Sequence, residues 1–290
     1  MAQDGHDEQN GERTAVSEAL VPAHARASGE VRAEFVSSSG RTQAARVYQA
    51  GGLRLSFPHV TRGCEGVIVN TGGGVAGGDQ AKFSFDVGTD CDVTLTTQAA
   101  EKIYRAQSQG QDQEARIEVS LRVETGAALE WLPQETILFD KARLVRRLDV
   151  DVVADASVTL VESVVFGRLA MGEINTTGLL RDRWRVRRDG QLIFADELSF
   201  DGAIGSILNR PACAGGGRAC ATLLHVSPSA ESRLDALREA LKDVPCEWGA
   251  SAWNGFLFLR FVSPSPQHVR AAMVMAMGEL RGRDAPRVWN

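Results

Sequence analysis

The sequence predicts a mainly β protein, with two α-helices near its end. Three observations carry that expectation. Apolar and polar residues alternate with period 2 over most of the chain from Val31 onward. Helical spacing does not appear before Ser229. Three strand-like segments also echo one another: CDVTLTTQ (91–98), AALEWLPQ (127–134) and ASVTLVES (156–163). Each follows a short turn of small or polar residues, and they start 36 and 29 residues apart. Strands stacked coil upon coil would produce such an echo; so would coincidence among valine-rich strands.

The elements follow in chain order. QAKFSFDV puts Ala81, Phe83, Phe85 and Val87 on one face of a strand. ARIEVSLRV puts Ile117, Val119, Leu121 and Val123 on one face and Glu118, Ser120 and Arg122 on the other. RRLDVDVVADASVTLVESVVF reads as two strands turning near Ala154–Ala156. LLRDRWRVRRDGQLIFADELSF reads as a hairpin around Asp189-Gly190. After a glycine-rich loop from Cys213 to Cys220, TLLHV and GFLFLRFV read as strands. Between them, Leu234, Leu237 and Leu241 stand at helical spacing, with Ser229 as the expected N-cap. The final helix has Ser265 as cap, Pro266 in its first turn, and Val269, Ala272, Met273, Ala276, Met277 and Leu280 turned inward.

Composition narrows the function. The chain has 290 residues, 43% hydrophobic and 24% charged, with a net charge of -5. That balance suits a soluble globular protein and disfavours nucleic acid or an anionic membrane as partner. The five cysteines contain no C-x-x-C, so reduced thiols in a cytoplasmic protein are expected, with neither a disulfide framework nor a zinc site. The acidic, polar start lacks the features of a signal peptide, and residues 1–30 read as a disordered tail.

One motif invites a stronger claim. In VIVNTGGGVAGGDQ, Gly72, Gly74 and Gly77 spell G-x-G-x-x-G. A dinucleotide turn must lead into a helix, whose free N–H groups hold the pyrophosphate. Here QAKFSFDV follows, another strand; a Walker loop would need Gly-Lys-Ser/Thr, but Gly78 is followed by Asp79, whose charge would repel phosphate. The glycines are therefore expected to make a tight bend that delivers the Asp79 carboxylate.

Five blocks then occur in order: NTGGGVAGGD, LTTQAAEKIYR, LEWLPQETILFD, ESVVFGRLAMGE and LLRDRWRVRRDGQLIFAD, with PRVW at 286–289. In this register the chain resembles the UreD (UreH) family of urease accessory proteins, from about Ala33 to Trp289. Some positions depart from the family pattern. Gly72 and Ala76 differ in the glycine block, Glu101 stands where a small residue or threonine is commoner, Lys141 where glycine is common, and Ser199 where a basic residue is frequent. The resemblance implies strands in a helical, solenoid-like arrangement with two helices. The expected organisation is a solenoid-like body at 31–210 and a β-α-β-α part at 211–290 packed on it. It also implies a non-enzymatic role. The chain would bind UreF, recruit the GTPase UreG, dock on apo-urease, and offer nickel a water-filled passage.

The residues supply candidates for such a passage. Acids lie in or beside apolar strand segments at Asp79, Glu135, Asp140, Glu162 and Glu173. Glu162 interrupts the run Val158 to Phe166, so burial is expected, with Arg168 or Arg146 as possible salt-bridge partners. Nickel in transit needs weak carboxylate and water ligands rather than tight nitrogen and sulfur sites. Nickel is expected as a transient passenger and no cofactor as a tightly bound resident. The histidines, His6, His24, His59, His225 and His268, are too scattered in sequence to suggest a ligand set or a triad. A carboxylate-dependent β-solenoid glycosidase or lyase, using a pair such as Glu135 and Glu162, is the alternative reading.

Overall fold

The structure, a computed structural model, describes residues 27–106 and 114–289. Strands dominate it and fall into two sheets. β1 (Ser28–Ser38) pairs antiparallel with β2 (Arg41–Ala50) in the first sheet, and β3 (Leu53–Ser56) with β4 (Cys64–Asn70) in the second. The chain then shuttles between sheets. β5 (Gln80–Val87) joins the first; β6 (Asp92–Thr97) and the short β7 (Glu101–Ile103) join the second. β8 (Ala115–Val123) returns to the first, β9 (Ala128–Leu132) and β10 (Thr136–Leu138) to the second. β11 (Arg143–Val152), β12 (Ser157–Phe166) and β13 (Gly178–Arg188) alternate once more. β1, β5, β8, β11 and β13 pair in parallel, as do β4, β6, β9 and β12.

The three echoing segments are β6, β9 and β12, side by side. Val93, Leu129 and Val158 share one register row, and Leu95, Trp131 and Leu160 another. Matched positions face matched environments, which is why the segments look alike.

β14 (Gln191–Gly202) closes the first sheet against β13 through the expected hairpin. Asp189 and Gly190 both take positive φ, 50° and 78°, as a two-residue turn between twisted strands requires. A five-residue helix, α1 (Ile204–Leu208), follows. It is too short to leave a periodic signal, and the sequence reading missed it. β15 (Ala219–Val226), β16 (Glu247–Trp253) and β17 (Phe256–Ser263) then extend the second sheet antiparallel, beyond β12.

The last two helices cover the outer face of that extension. α3 (Pro266–Arg281) begins where Ser265 Oγ accepts the His268 N–H, and ends at Gly282 with φ 60°. All six residues expected to face inward are buried. α2 (Leu234–Ala240) is shorter than the spacing suggested. A 3-10 turn at Glu231–Arg233 precedes it, so Ser229 lies too far upstream to cap it. The Ser229 carbonyl accepts the Ser232 hydroxyl instead.

Coverage explains the sequence patterns. The outer face of the first sheet is charged and open, so β8 alternates buried and exposed along its whole length. β12 has the other sheet on one side and helices on the other, and nearly all of it is buried. Residues 28–30, expected in the tail, belong to β1. The rest of that expectation, on residues 1–26 with His6 and His24, falls outside the described residues.

Candidate functional site

The glycine bend leads from β4 into β5, with no helix, as the sequence required. A Cβ on Gly74 would lie 2.7 Å from the Lys102 carbonyl and 2.4 Å from the Tyr104 ring, so only glycine fits there. Asp79 holds the bend closed. Its Oδ2 accepts the Ala76 N–H at 2.8 Å and its Oδ1 accepts the Ala27 N–H at 2.7 Å.

Between the sheets lies a cavity of about 220 Å³. Phe83, Ile117 and Val119 wall it from the first sheet, and Ile68, Trp131 and Glu162 from the second. Strand parity delivers these side chains. Glu162 shares its face of β12 with Val158, Leu160, Val164 and Phe166, which pack between the sheets. An apolar face interrupted by a carboxylate needs a partner across the gap, and Arg146 of β11 supplies it.

Arg146 is shared. Its Nε and Nη2 donate to the two oxygens of Asp182 on β13, at 3.1 and 2.6 Å. Its Nη1 donates to Glu162 and to Thr136 Oγ1. Trp131 Nε1 donates to Glu162 at 3.0 Å. Two buried carboxylates thus face one guanidinium. Burial pushes the Glu162 carboxyl up to about 7, aided by the like charge of Asp182 and opposed by Arg146 and Trp131. Asp182 was not anticipated, yet it shares parity with Leu180, Trp184 and Val186 on the buried face of β13. A carboxylate on that face was the available signal.

Glu101 also lines the cavity, and Asn70 Nδ2 donates to its two oxygens at 3.1 and 3.2 Å. Burial raises its carboxyl above the ordinary range, against the Asn70 hydrogen bonds.

The remaining candidates are engaged elsewhere. Arg270 of α3 donates to Glu135 at 2.8 Å, beside a smaller cavity of about 80 Å³. Asp140 Oδ1 accepts the N–H and hydroxyl of Thr176, both at 2.7 Å, and the Thr177 N–H at 3.2 Å. Burial opposes ionisation there, but those bonds and Lys141 hold the carboxyl below its usual range. Glu173 pairs with Arg168, whose hydrogen bond chiefly holds the Glu173 carboxyl down, and accepts the Asp140 N–H at 3.0 Å. Lys141, in the same turn, has φ 64°, a left-handed conformation that glycine takes without strain.

Glu162 is the one member of the five that lines the larger cavity. Among the described residues, no three His, Cys, Asp or Glu side chains converge as a metal site. Glu135 and Glu162 serve different arginines and different cavities, so they do not form one acid/base pair. His225 is a satisfied strand histidine between the hydroxyls of Thr159 and Ser227, at 2.9 and 3.0 Å.

A model of the UreD urease accessory protein family matches residues 27–290. The chain belongs to this family. Relatives named urease accessory protein UreD extend over nearly its whole length. One from Rhodopseudomonas palustris is 46% identical over 91% of this chain and 93% of its own. One from Azorhizobium caulinodans is 44% identical over 93% and 98%. One from Xanthobacter autotrophicus is 46% identical over 91% and 90%. As a UreD-family member the chain is an accessory protein and not an enzyme. No helix among the described residues is long and apolar enough to cross a membrane.

Proposed function

We propose that this UreD-family chain serves urease maturation in the cytoplasm by giving nickel, its cargo, a route into apo-urease. It does so in a complex with a UreF-like protein and a UreG-like GTPase. The observation that carries this reading is the cavity between the sheets, walled by Glu162 and Glu101. The alternation of parallel strands between two sheets is read here as a solenoid-like path, with the cavity as the hollow it encloses.

The chemistry supports passage over storage. Two carboxylates and water hold a divalent ion loosely enough to release it, whereas imidazole and thiolate sets would retain it. Among the described residues Glu162 pairs with one arginine, which Asp182 shares, so Glu162 is not locked in an exclusive ion pair and its ionised form can be offered to a cation. In this reading Asp79, Asp140 and Glu173 fix the bends that shape the wall, and Glu135 sets its outer side.

A strain lacking the gene tests the proposal. Urease protein should accumulate there without nickel, and restoring this chain should restore the metal. The chain should also co-purify with a UreF-like partner. Fully nickel-loaded urease in the deletion strain would contradict the proposal.

A further inference from the structure

The segment after α3 contributes more than packing. Residues 286–289 end in a short 3-10 turn that buries Trp289 to 3% exposure, in a cluster with Leu132, Val165 and Met273. The indole Nε1 donates to the Leu132 carbonyl at 3.1 Å. Gln134 Nε2 donates to the Val288 carbonyl at 2.5 Å. Arg270 stands 4.8 Å from the centre of the indole ring and donates to the Trp289 carbonyl at 2.7 Å. The same guanidinium donates to Gln134 Oε1 at 2.7 Å and Glu135 Oε2 at 2.8 Å.

One arginine therefore joins the segment to Gln134 and Glu135. Those two residues adjoin different hollows: Gln134 lines the 220 Å³ cavity and Glu135 the 80 Å³ one. Without the segment, the Leu132 carbonyl, the Gln134 amide and the Arg270 fork would each lose a partner at a largely buried place. Such groups need replacement partners. The seat is thus specific. It takes an indole that donates one hydrogen bond, on a backbone whose adjacent carbonyls accept two more.

We propose that residues 286–289 act as a clasp in a built peptide seat, and that through Arg270 they position Gln134 and Glu135 at the wall between the two cavities. The clasp stands on this geometry alone.

Hydrogen exchange on the purified full-length chain tests it, beside a chain lacking residues 286–290 and a Trp289→Phe variant. In the shortened chain, amide exchange at residues 132–138 should rise about tenfold or more, while the β13–β14 hairpin keeps its protection. A synthetic peptide of residues 283–290 should restore protection when added in trans. Trp289→Phe keeps the apolar plug and loses the N–H donor, so it should show a smaller rise at the same amides. It also keeps the test decisive if the shortened chain fails to fold. A rise spread evenly over both sheets, no rise at residues 132–138, or a peptide without effect would overturn the clasp. No step reads nickel or urease, so failure here is distinct from failure of the proposed function.

Discussion

The two faces of the second sheet each hold a buried acid, and the acids live under opposite charge stoichiometry. On the inner face, Glu162 shares one guanidinium, Arg146, with a second carboxylate, Asp182. On the outer face, Glu130 stands between two guanidiniums, Arg281 at 2.9 Å and Arg283 at 3.1 Å, the second also 3.5 Å from Asp92, with Thr94 donating at 2.6 Å. Both acids are largely buried, so burial alone does not separate them. The difference is the count of opposite charges. An acid with one arginine of its own and a share of a second is a strut that ties α3 and the segment after it to the sheet. An acid with half an arginine keeps a carboxyl that burial, and then the like charge of Asp182, pushes above the ordinary range, facing a cavity. In the function proposed above, that second state is the wall that meets a passing cation.

The largest effect should come from removing the shared arginine. Arg146→Ala leaves Glu162 and Asp182 buried without a counter-charge and should cost about 3–5 kcal/mol of stability in urea unfolding. A loss below about 1 kcal/mol, the range of an exposed ion pair, would mean that the triad is wetter than its burial implies.

The next effect is a pH dependence with two opposed parts. Glu162 has a raised folded pKa, so its contribution is fully present below the unfolded value near 4.5 and is lost as pH rises through about 7. His225 has a folded pKa lowered to about 4, chiefly by burial and then by Arg233. Its contribution is present above about 6.5 and is lost as pH falls through about 4. Across the shared window the two slopes oppose each other. Glu162→Gln should therefore unmask a stability that rises by about 3 kcal/mol from pH 4 to 6.5, and His225→Gln one that falls as pH rises. Parallel pH profiles for the two variants would break the comparison.

The smallest effect belongs to the outer face. Arg283 is partly exposed and Arg281 remains beside Glu130 when it is removed, so Arg283→Ala should cost about 1 kcal/mol or less. A cost equal to that of Arg146→Ala would show that stoichiometry does not distinguish the faces.

Much of this frame was legible in the residues. Period-2 alternation located β5 and β8 with their buried faces, and the echo marked three adjacent strands. The Glu162 carboxylate announced itself by breaking an apolar run, and Arg146 stood among its expected partners. What escaped depends on contacts between distant segments. Glu101 lies on a three-residue strand, too short for a face to be assigned. The Arg270–Glu135 and Trp289–Leu132 contacts join α3 and the segment after it to β9 and the connection that follows it, 135 and 157 residues earlier, and local pattern carries no trace of them. Asp182 was hidden by its setting, one acid in a stretch dominated by arginines.

The most direct test of the central claim is the nickel content of urease purified from cells whose only copy of this chain carries Glu162→Gln, with Glu130→Gln as the outer-face control and chain levels matched. The account predicts urease depleted of nickel with the inner-face variant and loaded urease with the control. Full loading with Glu162→Gln would contradict it.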